Sequence, residues 1–247
     1  MTAFASPLAQ HSCENCSIHA RAVCASCEDT QLARLESLKY CRSFEAGQVI
    51  IWAGERMEFV GTVLSGMADL TQQLVDGRRQ MVGLLLPGDF VGRPGRAVAR
   101  YTVTATTATT LCCFRRDRFE DLLQETPDLA GRLLAMTLDE LDAARDWMML
   151  LGRKSARERI ASLLVIVARR EAALIGQRPE GRIGIELPLT REAIADRLGL
   201  TLETVSRQFS SLKADRLIVL EGARRIVVPS FAALVAECGD DVEEALA

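Results

Sequence analysis

The alternation of apolar and polar positions divides the chain into four segments. Residues 1–30 are rich in cysteine, and residues 31–127 show short apolar runs separated by glycine-containing turns. Such runs, at intervals of roughly ten residues, are typical of an antiparallel β-sandwich or barrel. In residues 128–152 apolar positions recur at helical spacing, which predicts one long helix. Residues 153–247 have the pattern of short helices and short strands. The pattern predicts an α+β protein with an N-terminal antiparallel β domain, a long helix and a C-terminal helical domain.

Helical stretches flank the predicted strands of the β domain. Leucines recur at helical spacing from Asp29 to Lys39, so we expect a short helix there. The strands are expected from Phe44 to about Phe114. A second short helix is expected from Asp117 to Thr126, because the residue before Pro127 disfavours the α conformation.

The long helix carries an apolar stripe with alternating intervals of three and four residues, which is typical of a coiled-coil seam. Leu133, Leu138 and Trp147 leave a second apolar face for packing within the chain. The alternative is that the stripe itself packs on the β domain. We interpret the segment, about 30 Å long at ~1.5 Å per residue, as a dimerisation helix. Its seam consists of Leu134, Thr137, Leu141, Ala144, Met148 and Leu151.

The C-terminal segment has the pattern of two helices joined by a tight turn. The hydroxyl of Thr190 can cap the first helix, Gly199 permits the turn, and Thr201 begins the second helix. Leu217–Val219 and Arg225–Val228 are then expected as two strands of a small wing. Residues 153–247 are therefore predicted to form a winged helix-turn-helix, which is a DNA-binding fold.

The second of these helices has one apolar face and one polar face. Val205, Phe209 and Leu212 are expected to be buried. On the other face, the Arg207 guanidinium can donate two hydrogen bonds to guanine, and the Glu203 carboxylate can accept one from cytosine. The alternative is an ordinary helical hairpin with a solvated face. The residues expected to contact DNA are Glu203, Thr204, Ser206, Arg207 and Ser210.

Composition limits the classes of function. The 247 residues carry 30 Lys plus Arg and 33 Asp plus Glu, a formal charge of -3, so any DNA-binding surface must be local. Apolar runs such as Met81–Pro87 and Ile160–Ala168 are too short to cross a bilayer, and no secretion signal is evident, so we expect a cytoplasmic protein. The sequence contains no Ser-His-Asp set, P-loop or GxGxxG motif, so we do not expect an enzyme.

Eight cysteines are the main candidate chemistry, and four of them, Cys13, Cys16, Cys24 and Cys27, lie within fifteen residues. In a reducing compartment this spacing indicates metal ligation rather than disulfides. Thiolates suit both zinc and iron-sulfur clusters. Cys41 and Cys238 are isolated in the sequence and are interpreted as small buried or surface thiols.

The order of these parts resembles the cyclic AMP receptor protein (Crp/Fnr) superfamily and, within it, the oxygen-sensing FNR regulators. The resemblance covers nearly the whole chain. Residues 200–207, LTLETVSR, resemble the recognition helix of FNR and FixK regulators, residues 81–92, MVGLLLPGDFVG, resemble their β-roll, and residues 140–145, ELDAAR, resemble their dimer helix. The resemblance implies a homodimer in which Glu203, Ser206 and Arg207 read a TTGAT half-site, repeated in inverted form.

The resemblance also implies a [4Fe-4S] cluster held by three N-terminal cysteines and one on the β-roll. The spacing CxxCx7C matches one FNR branch and implies Cys13, Cys16 and Cys24 as ligands, with Cys112 as the fourth. Cys113 and Cys27 are the alternatives for the fourth position. A set of Cys13, Cys16, Cys24 and Cys27 would favour zinc.

Two further expectations follow from the resemblance. Relatives that bind cyclic nucleotides carry a Gly-Glu segment followed by Arg-Ser or Arg-Thr, whereas this chain has Gly88 and Asp89, so no cyclic nucleotide is expected. The turn from Asp76 to Arg79 corresponds to a surface that contacts RNA polymerase in the family.

These features predict an oxygen-sensing transcription regulator. The cluster would link the N-terminal segment to the β-roll and favour pairing of the long helix, so that the dimer binds DNA at low oxygen. The alternative is a zinc-stabilised or cofactor-free, FixK-like regulator.

Overall fold

The computed structural model describes residues 12–187, 189–222 and 224–239. The chain divides into two compact units, and the boundary between Asp142 and Ala143 lies inside the longest helix. The N-terminal unit contains the cysteine-rich segment and the β domain. The C-terminal unit contains the helix-turn-helix.

The N-terminal unit begins with two short 3-10 helices and continues through a mainly β fold. Its elements are the 3-10 helices Cys13–Asn15 and His19–Arg21, α1 (Asp29–Leu38), β1 (Lys39–Phe44), β2 (Val49–Ile51), β3 (Phe59–Ser65), β4 (Ala68–Gln73), β5 (Arg79–Leu85), β6 (Phe90–Val91), β7 (Thr102–Ala105), β8 (Thr109–Arg115), α2 (Arg116–Glu125) and the first part of α3 (Pro127–Arg153).

The strands form two antiparallel sheets of four strands each, in the orders β1-β8-β3-β6 and β2-β7-β4-β5. Leu111, Val63 and Val103 belong to the apolar core of these strands. A second core joins Phe114 and Val60 of the first sheet to Leu35, Phe119, Leu122 and Leu129 of the helices, and it includes Val23 of the cysteine-rich segment. The predicted α+β fold with an antiparallel β-roll is confirmed.

The exposed face of α3 agrees with the predicted seam at most positions. Leu134 and Met148 are 61% and 66% exposed, and Thr137, Leu141 and Ala144 are also exposed, whereas Leu151 is partly buried. The assignment of Leu138 to the inner face is wrong, because its side chain is 52% exposed. Five residues of α-helix turn through about 500°, which places Leu138 about 140° away from Leu133. Met136 packs with Leu133 on the core instead.

The C-terminal unit is helical with one small sheet. The elements after α3 are α4 (Ala156–Leu174), β9 (Ile183–Glu186), α5 (Arg191–Leu198), α6 (Leu202–Ala214), β10 (Val219–Glu221), β11 (Arg225–Val228) and α7 (Phe231–Glu237). The three strands pair in the order β10-β11-β9. Most residues of α4 from Ile160 to Ala168 are buried, so this helix lies at the centre of the unit.

The wing is present, but its first strand begins later than predicted. The backbone N–H groups of Leu217 and Ile218 donate to the Leu212 carbonyl and so close the end of α6, which leaves β10 to begin at Val219. No helix in the described part of the chain is long and apolar enough to span a lipid bilayer.

Candidate metal centre and nucleic-acid interface

Cysteines from two distant parts of the sequence line one cavity in the N-terminal unit. Three belong to the cysteine-rich segment and two to neighbouring strands of the first sheet. The cavity is also lined by Lys39, Thr62 and apolar side chains such as Leu35. The five cysteines are Cys13, Cys16, Cys24, Cys41 and Cys112.

Local turns position the N-terminal thiols. The backbone N–H of Cys16 donates to the Cys13 carbonyl at 3.4 Å, so both thiols belong to one tight turn. Ile18, Ala22 and Val23 are buried and anchor the chain between this turn and Cys24. Val23 packs in the second core with Val60 and Phe114, so apolar contacts hold the cysteine-rich segment against the β domain.

Strand alternation separates the two adjacent cysteines of β8. Cys112 lies opposite Cys41 of β1 and opposite Thr62 of β3, and all three line the cavity. Cys113 points to the other face of the sheet, where it is buried in the core of the strands. Cys27 packs against the second core and does not line the cavity. The structure therefore groups Cys112, rather than Cys113 or Cys27, with the N-terminal thiols.

Cys41 is a residue that the sequence interpretation missed. Its proximity to Cys112 depends on the register of β1 with β8, two strands that lie about seventy residues apart in sequence. No local motif signals such a pairing, because it is set by the fold of the whole β domain.

Burial favours the protonated form of Cys24 and Cys112 in the absence of a metal. Burial, reinforced by neighbouring thiols, raises the pKa of Cys24 to about 12 and raises the pKa of Cys112 above its ordinary value. Metal ions bind thiolates, so ligation releases the thiol protons. The positive charge of the metal then stabilises the buried thiolates.

A lysine and a glutamate contact the first cysteine. Lys39 Nζ donates to Cys13 Sγ at 3.1 Å and to Glu36 Oε1 at 3.3 Å, and the same Glu36 oxygen accepts from the Cys13 backbone N–H at 3.2 Å. Burial lowers the pKa of Lys39, but the interactions with Cys13 and Glu36 outweigh this effect and raise it above its ordinary value. Lys39 is therefore a cation at neutral pH.

As placed, the described residues form no group of three or more His, Cys, Asp or Glu side chains that could hold a metal ion. The five cysteines around one cavity are nevertheless the type of donor that holds iron-sulfur clusters. Clusters of iron and sulfide are held by four thiolates and are tuned by hydrogen bonds to their sulfurs. The buried Thr62 hydroxyl lines the cavity and has no hydrogen-bond partner within the described part of the chain, so it is available to such a group.

The helix-turn-helix forms as its local signals predict. Thr190 Oγ1 accepts from the Ala193 N–H and caps α5, and Thr201 Oγ1 accepts from the Thr204 N–H and caps α6. Gly199 has φ +62°, a left-handed conformation that glycine adopts without strain, and it ends α5. Val205, Phe209 and Leu212 of α6 are buried, as expected.

The exposed face of α6 carries the residues predicted to contact DNA. Glu203, Ser206 and Arg207 are exposed. Hydrogen bonds from its own backbone N–H and from the Thr201 hydroxyl hold the pKa of Glu203 below its ordinary value, so its carboxylate is an acceptor. Thr204 is partly buried at the Thr201 cap, and Ser210 Oγ donates to the Ser206 carbonyl at 3.0 Å. Glu203, Ser206 and Arg207 are therefore the side chains most available to bases.

The two remaining predicted regions are turns of the β domain. In the first turn, which is largely buried, Asp89 Oδ2 accepts from the Leu86 N–H at 2.9 Å. The residue that replaces the glutamate of nucleotide-binding relatives therefore stabilises the turn to which it belongs. At the tip of the β4–β5 hairpin, the turn proposed to contact RNA polymerase, Arg78 Nε lies 2.8 Å from Asp76 Oδ2.

Comparison with known proteins matches both units. Residues 41–126 match the model of the cyclic nucleotide-binding domain, and residues 158–237 match that of the Crp-like helix-turn-helix domain. The chain is 59% identical over 246 residues to the transcriptional activator protein FnrL of Cereibacter sphaeroides, covering 100% of this chain and 99% of the relative. It is 36% identical to the nitrogen fixation regulation protein FixK of Bradyrhizobium diazoefficiens, with 89% and 92% covered.

A solved structure supports the same conclusion. The structure of FixK2 from Bradyrhizobium japonicum matches with a TM-score of 0.72 and 34% identity, covering 82% of this chain and 98% of that one. The homologues are transcription factors and not enzymes, which confirms the prediction made from the sequence motifs. The coverage of these relatives and the two domain matches show that the chain belongs to the Crp/Fnr family of transcription regulators.

Proposed function

We propose that the protein is an oxygen-responsive transcription activator whose [4Fe-4S] cluster is held by Cys13, Cys16, Cys24 and Cys112. The observation that carries the proposal is the meeting of these thiols, from segments about ninety residues apart, in one cavity. A relative that is 59% identical is named the transcriptional activator protein FnrL. When bound, the cluster would supply an oxygen-labile link between the N-terminal segment and β8.

The residues of this chain provide a path from the thiols to the dimerisation helix. Arg132 of α3 donates from Nη2 to the Arg21 carbonyl at 3.0 Å and from Nε to the Ala22 carbonyl at 3.4 Å. These carbonyls lie three and two residues, respectively, before Cys24. A movement of the Cys24 segment on cluster loss would therefore act on the first turns of α3 through Arg132.

Pairing of α3 completes the DNA-binding form. In a homodimer, two recognition helices can occupy successive major grooves, ~34 Å apart, which a monomer cannot do. We propose that Glu203, Ser206 and Arg207 read each half of an inverted TTGAT repeat, and that the Asp76–Arg79 turn contacts RNA polymerase. No cyclic nucleotide is required in this mechanism.

Anaerobic purification of the full chain tests the proposal. We expect a brown protein with about four iron and four sulfide per chain, whose visible absorbance fades in air together with binding to the inverted repeat. A colourless protein with one zinc, or one with no metal that binds the repeat equally well in air, would contradict it. Either result would support the zinc-stabilised or cofactor-free, FixK-like alternative.

A further inference from the structure

Lys39 is a nearly buried cation at the edge of the cysteine cavity. Its side chain is only 11% exposed, and it lines the cavity on the same face of β1 as Cys41. Its ammonium group contacts the Cys13 thiol and the Glu36 carboxylate, and Glu36 also accepts the Cys13 N–H. Lys39 and Glu36 therefore fix both the backbone and the sulfur of the first cysteine.

Lys39 lines the same cavity as Cys41 and Cys112, so its charge lies near the strand thiols as well as beside Cys13. A cluster bound by four thiolates is an anion in a site of low polarity. A buried anion requires a nearby cation, and Lys39 is placed to supply it.

We propose that Lys39 and Glu36 set the reduction potential and oxygen lability of the cluster by their opposite charges. This inference rests on the proposed function and adds positioning residues that are not ligands. Lys39 stabilises the more negative, reduced form of the cluster, and Glu36 weakens that stabilisation while it holds Lys39 beside Cys13.

Two substitutions should therefore shift the potential in opposite directions. Lys39→Met removes the positive charge, so the midpoint potential should fall and electron loss to dioxygen, which becomes superoxide, should accelerate. Glu36→Gln removes the negative charge but keeps an oxygen that can accept the Cys13 N–H, so the potential should rise. A tenfold change in a one-electron equilibrium corresponds to ~59 mV.

The experiment compares full-length proteins purified without oxygen. The variants are Lys39→Met, Lys39→Arg and Glu36→Gln, and Arg42→Met is the matched control. Arg42 lies on the opposite face of β1, over the rings of Phe44 and Phe59, and its loss removes the same charge away from the cavity. Iron and sulfide per chain, midpoint potential and the rate of fading in air are measured for each protein.

We expect Lys39→Met to have a potential lower by ~59 mV, which is a tenfold shift of the one-electron equilibrium towards the oxidised form, and to fade faster than wild type. Lys39→Arg and Arg42→Met should resemble wild type. This inference would be overturned if Lys39→Met and Glu36→Gln had the midpoint potential of wild type, or if both shifted it in the same direction. A brown wild-type protein would still support the proposed function in that case. A colourless wild type would overturn both. If Lys39→Met assembles no cluster, the other two variants test the inference. A higher midpoint potential in Glu36→Gln and a wild-type potential in Lys39→Arg would support it, and an unchanged or lower potential in Glu36→Gln would overturn it.

Discussion

At the scale of single residues, the alternation of side chains along β8 decides which thiol is available to a metal. Cys112 and Cys113 are adjacent, yet Cys112 faces the cavity and Cys113 is buried in the core of the strands. Cys41 faces the same cavity from β1. Chemically equivalent thiols are thus assigned to different environments by one residue of register.

Alanine substitution distinguishes these three thiols. We expect Cys112→Ala to abolish the visible absorbance and the bound iron, because it removes the proposed fourth ligand. Cys41→Ala and Cys113→Ala should retain both. Iron and sulfide analysis after anaerobic purification is the measurement, and a colourless Cys41→Ala protein with a brown Cys112→Ala protein would show that Cys41 is the fourth ligand.

Arg207 should carry base specificity rather than general affinity for DNA. It is exposed on α6 and can donate to two acceptors of one guanine. Arg207→Ala should weaken binding to the inverted repeat by ~1 to 3 kcal/mol per half-site, with a smaller effect on unrelated DNA. Titrations of both DNAs at one salt concentration measure the difference.

Lys213 provides the control for Arg207 because it is exposed in the last turn of the same helix. Lys213→Ala removes the same charge, and we expect any loss to be equal on specific and unrelated DNA. Equal losses for Arg207→Ala would contradict its role in reading bases.

At the scale of elements, α3 is a helix with apolar side chains on an exposed face. Leu134, Leu141 and Met148 are exposed at seam positions. Contiguous exposed apolar surface is typical of an interaction site. We therefore retain the interpretation of this face as the contact with a second copy of the chain.

Acidic substitutions in the seam test this contact. Leu141→Glu and Met148→Glu should each weaken the dimer by about 3 kcal/mol or more, because each dimer loses two apolar contacts worth ~1.5–3 kcal/mol apiece. Sedimentation of anaerobic protein at several concentrations measures the dissociation constant. Met149→Glu is the control, since Met149 is also exposed but lies about 100° around the helix from Met148. An equal effect of Met149→Glu would place the contact on a different face.

At the scale of the whole molecule, the proposed oxygen response requires a connection between the thiols and α3. Arg132 provides it within the N-terminal unit through the carbonyls of Arg21 and Ala22. Leu133 and Met136, on the same helix, pack against the core that contains Val23. The cysteine-rich segment and α3 are therefore joined by both polar and apolar contacts.

Removal of the polar contact should separate cluster binding from dimerisation. We expect Arg132→Met to keep the iron of the wild-type protein but to show a smaller difference in dimer dissociation constant between anaerobic and air-treated samples. Arg118→Met, an exposed arginine of α2, is the control and should behave as wild type. A full response to air in Arg132→Met would exclude this path.

Local chemistry made much of the molecule predictable. The Thr190 and Thr201 caps and the Gly199 turn each act within a few residues, so the helix-turn-helix could be inferred before any tertiary structure was considered. The choice between two faces of a helix is less predictable. Leu138 is apolar yet exposed on α3, because the sequence does not show which apolar residues of a helix meet the core.

The sequence by itself determined the type and order of the elements, the recognition helix and the cysteine-rich segment, because each depends on short-range periodicity, capping and spacing. Only the tertiary structure decided that Cys112, and not Cys113, joins the N-terminal thiols, and that Cys41 and Lys39 lie beside them. Those relations depend on the register of β1 with β8 and on the packing of the cysteine-rich segment over the sheet. Such contacts join residues far apart in sequence, and the global fold fixes them.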